Sequence, residues 1–461
     1  MTDSALLIDF GSTYTKLRAI DIAGRRVLGS GQGPSTVATD VTIGMRAALD
    51  DLARRLGSLP RFRYRLASSS AAGGLRMVTI GLVRELTAEA ARRAALGAGA
   101  RLVGTFAYRL TRSDLAQIVA LAPDIVLLAG GTDGGNSEVV VANARALAGS
   151  ALACPIVYAG NRAAADDARD LLGAKSLIVT GNVMPEFNVL DIEPARAAIR
   201  QVFMERIVHA KGIDRAQSEF DAVLMPTPAA VMEGARLVAD GCPGIAGLGE
   251  LVVIDPGGAT TDVHSIAVGD PASAGTVKRG LPEPRAKRTV EGDLGMRHNA
   301  ATIVEVAGAQ AIATDAGLPV ADVPGLVAAL HADVERLPST PAEHALDRAL
   351  ARAALRIAMR RHCGTVETVH TVHGPATVQE GKDLSTIATV IGTGGVLAHS
   401  HDVRSLLETV LADPAEPLSL RPRQPRLLVD RHYLLYACGL LAQVEPNAAL
   451  GLALDHLVPL E

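Results

Sequence analysis

The sequence predicts an α/β protein of several domains, and two observations carry that reading. The first is one strand-and-turn plan used twice, far apart in the chain. Ala5-Leu6-Leu7-Ile8 leads into Asp9-Phe10-Gly11-Ser12-Thr13-Tyr14-Thr15-Lys16, and Leu251-Val252-Val253-Ile254 leads into Asp255-Pro256-Gly257-Gly258-Ala259-Thr260-Thr261-Asp262. The second is a run of short apolar stretches alternating with helical patterns between residues 61 and 181, as in βαβ units. In each turn an apolar strand delivers a carboxylate, then glycines that let backbone N–H groups approach an anion, then hydroxyl side chains. Such a segment can hold a phosphate and its metal ion. One Asp-x-Gly after a strand is an ordinary turn; two copies of the plan facing each other are a signal.

Composition narrows the class. The chain has 461 residues, of which 48% are hydrophobic and 20% charged, so it is globular and long enough for about two to four domains. A net charge of -4 and the lack of a basic stripe argue against nucleic-acid binding. Arg61-Phe62-Arg63-Tyr64-Arg65 alternates at period two and reads as one exposed face of a strand. Met1-Thr2-Asp3-Ser4 carries no basic n-region, so a cytoplasmic protein is expected. No uncharged apolar stretch reaches the roughly 18 to 20 residues of a membrane span. Cys154, Cys242, Cys363 and Cys438 are too scattered for a zinc or iron–sulfur site in one subunit and read as small buried side chains. His370-Thr371-Val372-His373 is strand-like and lacks acidic partners at helical spacing, so it is not read as a metal site.

Along the chain, residues 17–27 continue the first strand as a hairpin turning at 21–24, and 42–56 form a helix with Ile43, Ala47, Leu49 and Leu52 at helical spacing. Strands are then expected at 64–68, 76–82, 101–106, 125–129, 156–158 and 176–179, and helices at 87–96, 113–121, 138–147 and 163–172. The strand at 125–129 ends in Gly130-Gly131-Thr132-Asp133-Gly134-Gly135-Asn136. That loop serves either tight strand-to-helix packing or a ligand or partner at the carboxyl end of a sheet. A helix at 193–211, a strand at 220–225 and a small-residue helix at 226–237 follow. The glycine-rich segment 240–249 reads as the hinge or domain boundary. Residues 280–299 read as a solvated mixed-charge loop. Helices are expected at 302–313, 323–335 and 341–360, a strand ending in a glycine turn at 389–396, and a closing helix at 432–449.

The order of these elements resembles the actin, sugar kinase and heat-shock chaperone ATPase superfamily, over nearly the whole chain. The resemblance implies two ribonuclease H-like domains around an ATP cleft. The first ATPase domain would comprise 1–60 and 182–240, with an α/β insertion at 61–181. The second would comprise 250–431, with the terminal helix region 432–461 packing back on the first. Carried over residue by residue, Asp9 and Asp255 resemble the carboxylates around Mg2+, acting through water. Gly11, Ser12 and Thr13 resemble the first phosphate hairpin, and Gly257, Gly258, Thr260 and Thr261 the second. Asp262 resembles a further carboxylate near the metal or the attacking water. Gly392, Gly394 and Gly395 resemble the adenosine turn. Lys16 either neutralises phosphate charge or faces solvent. Hydrolysis at such a site rests on positioning and charge neutralisation, and a slow ATPase is expected.

Three further segments, 66–78 (Leu-Ala-Ser-Ser-Ser-Ala-Ala-Gly-Gly-Leu-Arg-Met-Val), 127–136 and 288–297 (Arg-Thr-Val-Glu-Gly-Asp-Leu-Gly-Met-Arg), resemble the MutL family associated with glutamate mutase, which is unrelated to the DNA-repair protein of that name. That resemblance implies an ATP-dependent reactivating chaperone whose partner is an adenosylcobalamin-dependent mutase, releasing damaged cobalamin; a homo-oligomer is compatible with it. The insertion would dock the mutase, with the 130–136 loop near the contact. Asp-x-His-x-x-Gly is absent, so cobalamin itself is not expected to bind. Competing readings are a small-molecule kinase, an activator of radical dehydratases, against which the scattered cysteines count, and an actin-like filament protein.

Overall fold

The computed structural model describes residues 3–11, 14–34, 36, 40–69, 75–210, 221–334, 337–372 and 374–461. The chain divides into two compact units, Met1–Ala23 with Val27–Ala230 and Gly280–Pro284, and Gly24–Arg26 with Val231–Arg279 and Arg285–Glu461.

The first unit opens with β1 (Ser4–Phe10), β2 (Tyr14–Asp21), β3 (Arg26–Pro34), α1 (Val41–Leu56) and β4 (Tyr64–Ser69). Helix α1 starts where Asp40 accepts the Thr42 N–H and stops at Gly57, whose φ of 77° is easy only for glycine. Its buried residues Val41, Met45, Ala48 and Leu52 recur at helical spacing and form the stripe laid on the sheet. The chain then runs through β5 (Leu75–Gly81), α2 (Glu89–Gly97), β6 (Ala100–Ala107), α3 (Arg112–Ala120), β7 (Ile125–Leu128), α4 (Glu138–Ala148), β8 (Ile156–Tyr158), α5 (Ala165–Leu172) and β9 (Leu177–Val179). It continues with α6 (Glu193–Ala210), β10 (Ala222–Pro226) and α7 (Thr227–Asp240).

Two sheets result. The first has the order β10-β4-β1-β2-β3, with β1 antiparallel to β2 and parallel to β4, and β4 parallel to β10. The second has the order β6-β5-β7-β8-β9 and is parallel throughout, a doubly wound 2-1-3-4-5 arrangement. Strand β7 is apolar at all four positions because both faces are buried. Ile125 and Leu127 join the core that holds Leu6, Ile8 and Phe10 of β1, while Val126 and Leu128 join a separate core with Val140 of α4 and Ile156 of β8. Alanines of α2 and α6, among them Ala91, Ala94, Ala95 and Ala195, lie in the first of these cores, where short side chains allow close approach.

The α/β region is therefore not a separable insertion beginning at residue 61. Its expected first strand, β4, belongs to the β1 sheet, and its own sheet shares a core with that sheet. Parallel pairing of β4 with a strand some 60 residues earlier leaves no local mark in the sequence.

The second unit takes the part of α7 from Val231 onward and adds a two-strand ribbon, β11 (Gly241–Cys242) and β12 (Ile245–Ala246). It continues with β13 (Leu251–Pro256), β14 (Thr261–Ile266), β15 (Val277–Arg279) and β16 (Ala286–Glu291). Next come α8 (Ala300–Ala307), α9 (Ala309–Ala316), α10 (Val323–Ala332), α11 (Pro341–His362), β17 (Thr365–Thr371), β18 (Gly374–Glu380) and β19 (Thr389–Gly392). The chain closes with α12 (Gly395–His399), α13 (Val403–Glu408), β20 (Arg426–Asp430), α14 (Leu435–Leu441), α15 (Pro446–His456) and β21 (Leu457–Pro459).

Its main sheet has the order β16-β14-β13-β19-β20-β21. Strands β13, β14 and β16 run antiparallel in turn, while β13, β19 and β20 run parallel. A small sheet, β15-β18-β17, accompanies it. Helix α11 begins in a Thr340–Glu343 capping box with Pro341 at its first turn and ends in Arg360, Arg361 and His362, in keeping with helix capping and the helix dipole. Numbered within each sheet, the first main sheet has the order 3-2-1-4-5, the strand order of a ribonuclease H-like domain, and the second repeats that order with β21 added as a sixth strand beside β20.

Several expectations are corrected here. Residues 286–291, read as a solvated loop, form β16, because the Arg288 charge is neutralised inside by Asp262. The expected helix at 302–313 breaks at Gly308 into α8 and α9. The terminal region 432–461 lies in the second unit together with α7 from Val231 onward, against which α14 packs at Gly234, and β21 pairs with β20. The 240–249 segment also lies inside the second unit; the partition falls within α7.

Candidate functional site

In the first unit β1 carries Asp9 to the carboxyl end of its strand, in register with Lys16 on β2 and Ser68 on β4. Residues paired in register share a sheet face, so Lys16, which is half-buried, lies on the Asp9 side. The turn closes where the Gly11 N–H donates to the Tyr14 carbonyl at 3.0 Å. Ser12 and Thr13 lie outside the described residues, as do residues 70–74 of the serine-rich segment and His373. Asp9 is 1% exposed, and its Oδ1 accepts the Thr227 hydroxyl at 2.6 Å. Burial pushes the Asp9 pKa above the ordinary carboxylate value, although the Lys16 charge and the Thr227 bond pull the other way.

In the second unit β13 and β14 bring Asp255 opposite Asp262. The turn between them is closed by the Gly257 N–H on the Thr260 carbonyl at 2.8 Å. Both oxygens of Asp262 are engaged: Oδ1 accepts from Arg288 Nε and Nη2 at 2.9 and 2.7 Å, and Oδ2 accepts the Thr260 hydroxyl at 2.9 Å. The Thr261 hydroxyl is buried and donates to the Leu294 carbonyl at 2.7 Å. The Thr260 hydroxyl therefore holds the hairpin itself, and the Thr261 hydroxyl ties it to the segment at Leu294.

Residues 292–299, read from the sequence as part of a solvated mixed-charge loop and, up to 297, of a family-like segment, form the seat of this turn. Met296 N–H donates to the Gly257 carbonyl at 3.0 Å, and Arg297 and His298 N–H groups to that of Gly258 at 2.9 and 3.0 Å. Asn299 Nδ2 donates to the Ala259 and Gly292 carbonyls at 3.0 and 2.9 Å. Gly295 sits so close that a Cβ there would overlap the Ala259 backbone. Behind them, Arg361 joins Glu291 and Asp293 at 2.7 Å each. Burial raises the Glu291 pKa despite that arginine.

The third glycine turn adjoins the second. Thr393 N–H donates to the Ile254 carbonyl at 3.0 Å, and its hydroxyl to Asp430 Oδ2, also at 3.0 Å. Asp430, at the end of β20, also accepts the Leu434 and Leu435 N–H groups that open α14. Gly394 lies directly against Asp255: a Cβ there would overlap Oδ1. Its φ of 88° and ψ of 159° fall in a region that is essentially glycine's alone. Gly392 is buried beneath Leu397 and Leu407, while Gly395 has open space where a side chain would stand. Gly394→Ala is accordingly expected to lower the unfolding free energy by about 1 to 3 kcal/mol. Urea denaturation checks it, and an unchanged midpoint would mean that the turn relaxes freely.

The sequence reading thus brought out Asp9, Gly11, Lys16, Asp255, Gly257, Gly258, Thr260, Thr261, Asp262, Gly392, Gly394 and Gly395, all at carboxyl-end turns of the two main sheets or beside them. It missed Thr227, Ser68, Arg288, Asn299 and Asp430. Asp430 did carry a signal, since Leu427-Leu428-Val429-Asp430 repeats the apolar run ending in Asp. The chemistry of the set suits a hard cation and phosphate: carboxylates, hydroxyls and backbone amides, with a glycine leaving clear the oxygen of Asp255. Among the described residues no group of three or more His, Cys, Asp or Glu is arranged to hold a metal by itself. Cys154, Cys363 and Cys438 are buried, and Cys242 is half-buried. Among the described residues no single helix is long and apolar enough to cross a membrane.

Two sheets of order 3-2-1-4-5, each with an Asp at the end of its first strand and a glycine turn after it, define a protein of the actin-like ATPase fold class. The chain belongs to the MutL protein family, whose sequence profile matches residues 5–457. It is 45% identical over 459 residues to "Protein MutL" of Clostridium tetanomorphum, covering 99% of both chains. Among solved structures it is similar to nucleotide-free acetone carboxylase, at 15% identity and a TM-score of 0.42 over 96% of this chain and 70% of that one. It is also similar to glycerol dehydratase reactivase, at 12% identity and a TM-score of 0.34 over 95% of this chain and 99% of that one. The strand orders of this chain, rather than these distant likenesses, define its fold.

Proposed function

We propose that this chain is an ATP-dependent reactivating factor for an adenosylcobalamin-dependent mutase of the glutamate mutase type, hydrolysing ATP slowly to drive release of damaged cobalamin. The observation that carries the nucleotide half is the repeated turn: Asp9 with Gly11, and Asp255 with Gly257, Gly258 and Gly394, each at the carboxyl end of the first strand of a 3-2-1-4-5 sheet. Asp9 and Asp255 would face Mg2+ through water, the backbone amides of the turns and Lys16 would hold the phosphates, and Gly392 to Gly395 would support the adenosine. The magnesium ion supplies charge neutralisation on the phosphates when bound. Asp262, tied on both oxygens to Arg288 and Thr260, acts in this reading as a fixed anion that shapes the turn and not as a mobile base. That is in keeping with slow turnover.

Membership of the MutL family supports the mutase half. Docking would use the 2-1-3-4-5 sheet, at whose carboxyl end the 130–136 loop is held by Asn161, Asn182 and Arg162. Phe187, 68% exposed, follows the last strand of that sheet. ATP turnover measured with and without a cobalamin-inactivated mutase tests the whole reading. Stimulation by the mutase, lost in Phe187→Asp, is expected. Absence of nucleotide binding, or turnover indifferent to the mutase, would remove it.

A further inference from the structure

We infer that Thr227 is a positioning residue that fixes Asp9 for the magnesium ion, an assignment that rests on the nucleotide half of the proposed function. Three strands that neighbour one another in the first sheet end together here: β1 with Asp9, β4 with Ser68, and β10, which passes directly into α7 at Thr227. Asp9 is 1% exposed, Ser68 0% and Thr227 4%, so the three polar side chains form a dry cluster. A threonine hydroxyl has one proton to give. At 2.6 Å from Asp9 Oδ1 it goes to the carboxylate. The Ser68 hydroxyl lies 3.2 Å from the Thr227 oxygen and donates to the Ile8 carbonyl at 3.4 Å.

The Thr227 bond gives the two carboxylate oxygens of Asp9 different tasks. Oδ1 is held by Thr227, whereas Oδ2 lies on the Gly11 side, close to where a Cβ of that glycine would stand. A carboxylate held by one oxygen presents the other in a single direction, as partners behind a metal ligand generally do. Thr227 is well suited to hold it, because it opens a 14-residue helix whose axis fixes its backbone.

The alternative is that Thr227 merely satisfies a buried carboxylate, which would change stability without changing metal dependence. The experiment separates these. The free magnesium concentration at half-maximal binding of a fluorescent ADP analogue is titrated for the wild-type chain, Thr227→Val and Thr227→Ser, beside binding without magnesium and urea unfolding. Thr227→Val is expected to need about 10- to 100-fold more magnesium, with magnesium-free binding unchanged, and Thr227→Ser to stay within about threefold of wild type. Thr227→Ala, which removes the hydroxyl without adding a methyl group in its place, is expected to shift the requirement the same way and keeps the test open if Thr227→Val does not fold. A wild-type magnesium titration in folded Thr227→Val overturns the inference, as does an equal loss of binding with and without the ion. Wild-type binding that ignores magnesium overturns the nucleotide reading and this inference with it.

Discussion

Asp9→Asn is expected to abolish magnesium-dependent ATP hydrolysis while leaving the fold at least as stable as wild type. The asparagine is the same size, and its carbonyl can still accept the Thr227 hydroxyl that holds Asp9 Oδ1, so nothing in the packing has to move. What disappears is the negative charge, which burial already disfavours in this place. Removing a buried charge relieves a desolvation cost that few stabilising contacts recover fully. The magnesium ion, by contrast, loses one of the carboxylates proposed to face it, and a drop in turnover of at least about 100-fold follows from the sensitivity of metal sites even to outer partners. Phosphate release and urea unfolding, measured on the same preparation, check the two halves. Full turnover in the variant would remove Asp9 from the site, and a large loss of stability would mean that the charge itself holds the strand ends together.

The second large effect is expected at Arg288. Its side chain is 4% exposed and that of Asp262 13% exposed, so Arg288→Met leaves a nearly buried carboxylate without its cation. Such half-broken pairs cost about 3 to 5 kcal/mol. His264, on the same face of β14 and opposite Arg288 in register, cannot take over. Burial is the largest cause that holds its pKa below the ordinary imidazole value, ahead of the Arg288 charge and against a smaller pull from Asp262, and burial remains when Arg288 is replaced. Replacing both partners, with Asp262→Leu added to Arg288→Met, should recover most of the loss, because neither charge is then stranded. Urea midpoints of the single and double variants give the answer. A single variant as stable as wild type would mean that Asp262 finds water or another donor, and that it is freer to act as a base than the structure implies.

The sequence made legible what is local. The strands before Asp9 and Asp255 are short apolar runs ending in Asp and glycine, and both proved to be the first strand of a sheet. The parallel strands of the second sheet in the first unit were visible for the same reason: β7 is apolar at every position because both its faces are covered. What stayed hidden depends on distant partners. Strand β16 looked like a solvated loop because Lys287, Arg288 and Glu291 are charged, whereas the opposing Asp262 helps to make a buried arginine tolerable there. Strand β4 looked like the start of an insertion because its pairing with β1 crosses a helix. The Thr227 contact to Asp9 spans 218 positions. Thr261 was read as a phosphate contact from its place in the turn, whereas its hydroxyl is turned inward by a carbonyl 33 positions along the chain.

The seat under the second turn has a mechanical meaning. Asn299 holds the Ala259 carbonyl with its side chain and is at the same time the residue that caps α8. Gly295 leaves no clearance between seat and turn. Helix α8 in turn rests on α9, α10 and α11. The turn is therefore coupled to its seat: under the proposed function, a displacement that an arriving or departing phosphate imposes on residues 257–260 would be delivered to the foot of α8 and through it to three more helices. A loop that would elsewhere absorb strain would then act as the input of a transmission within the second unit.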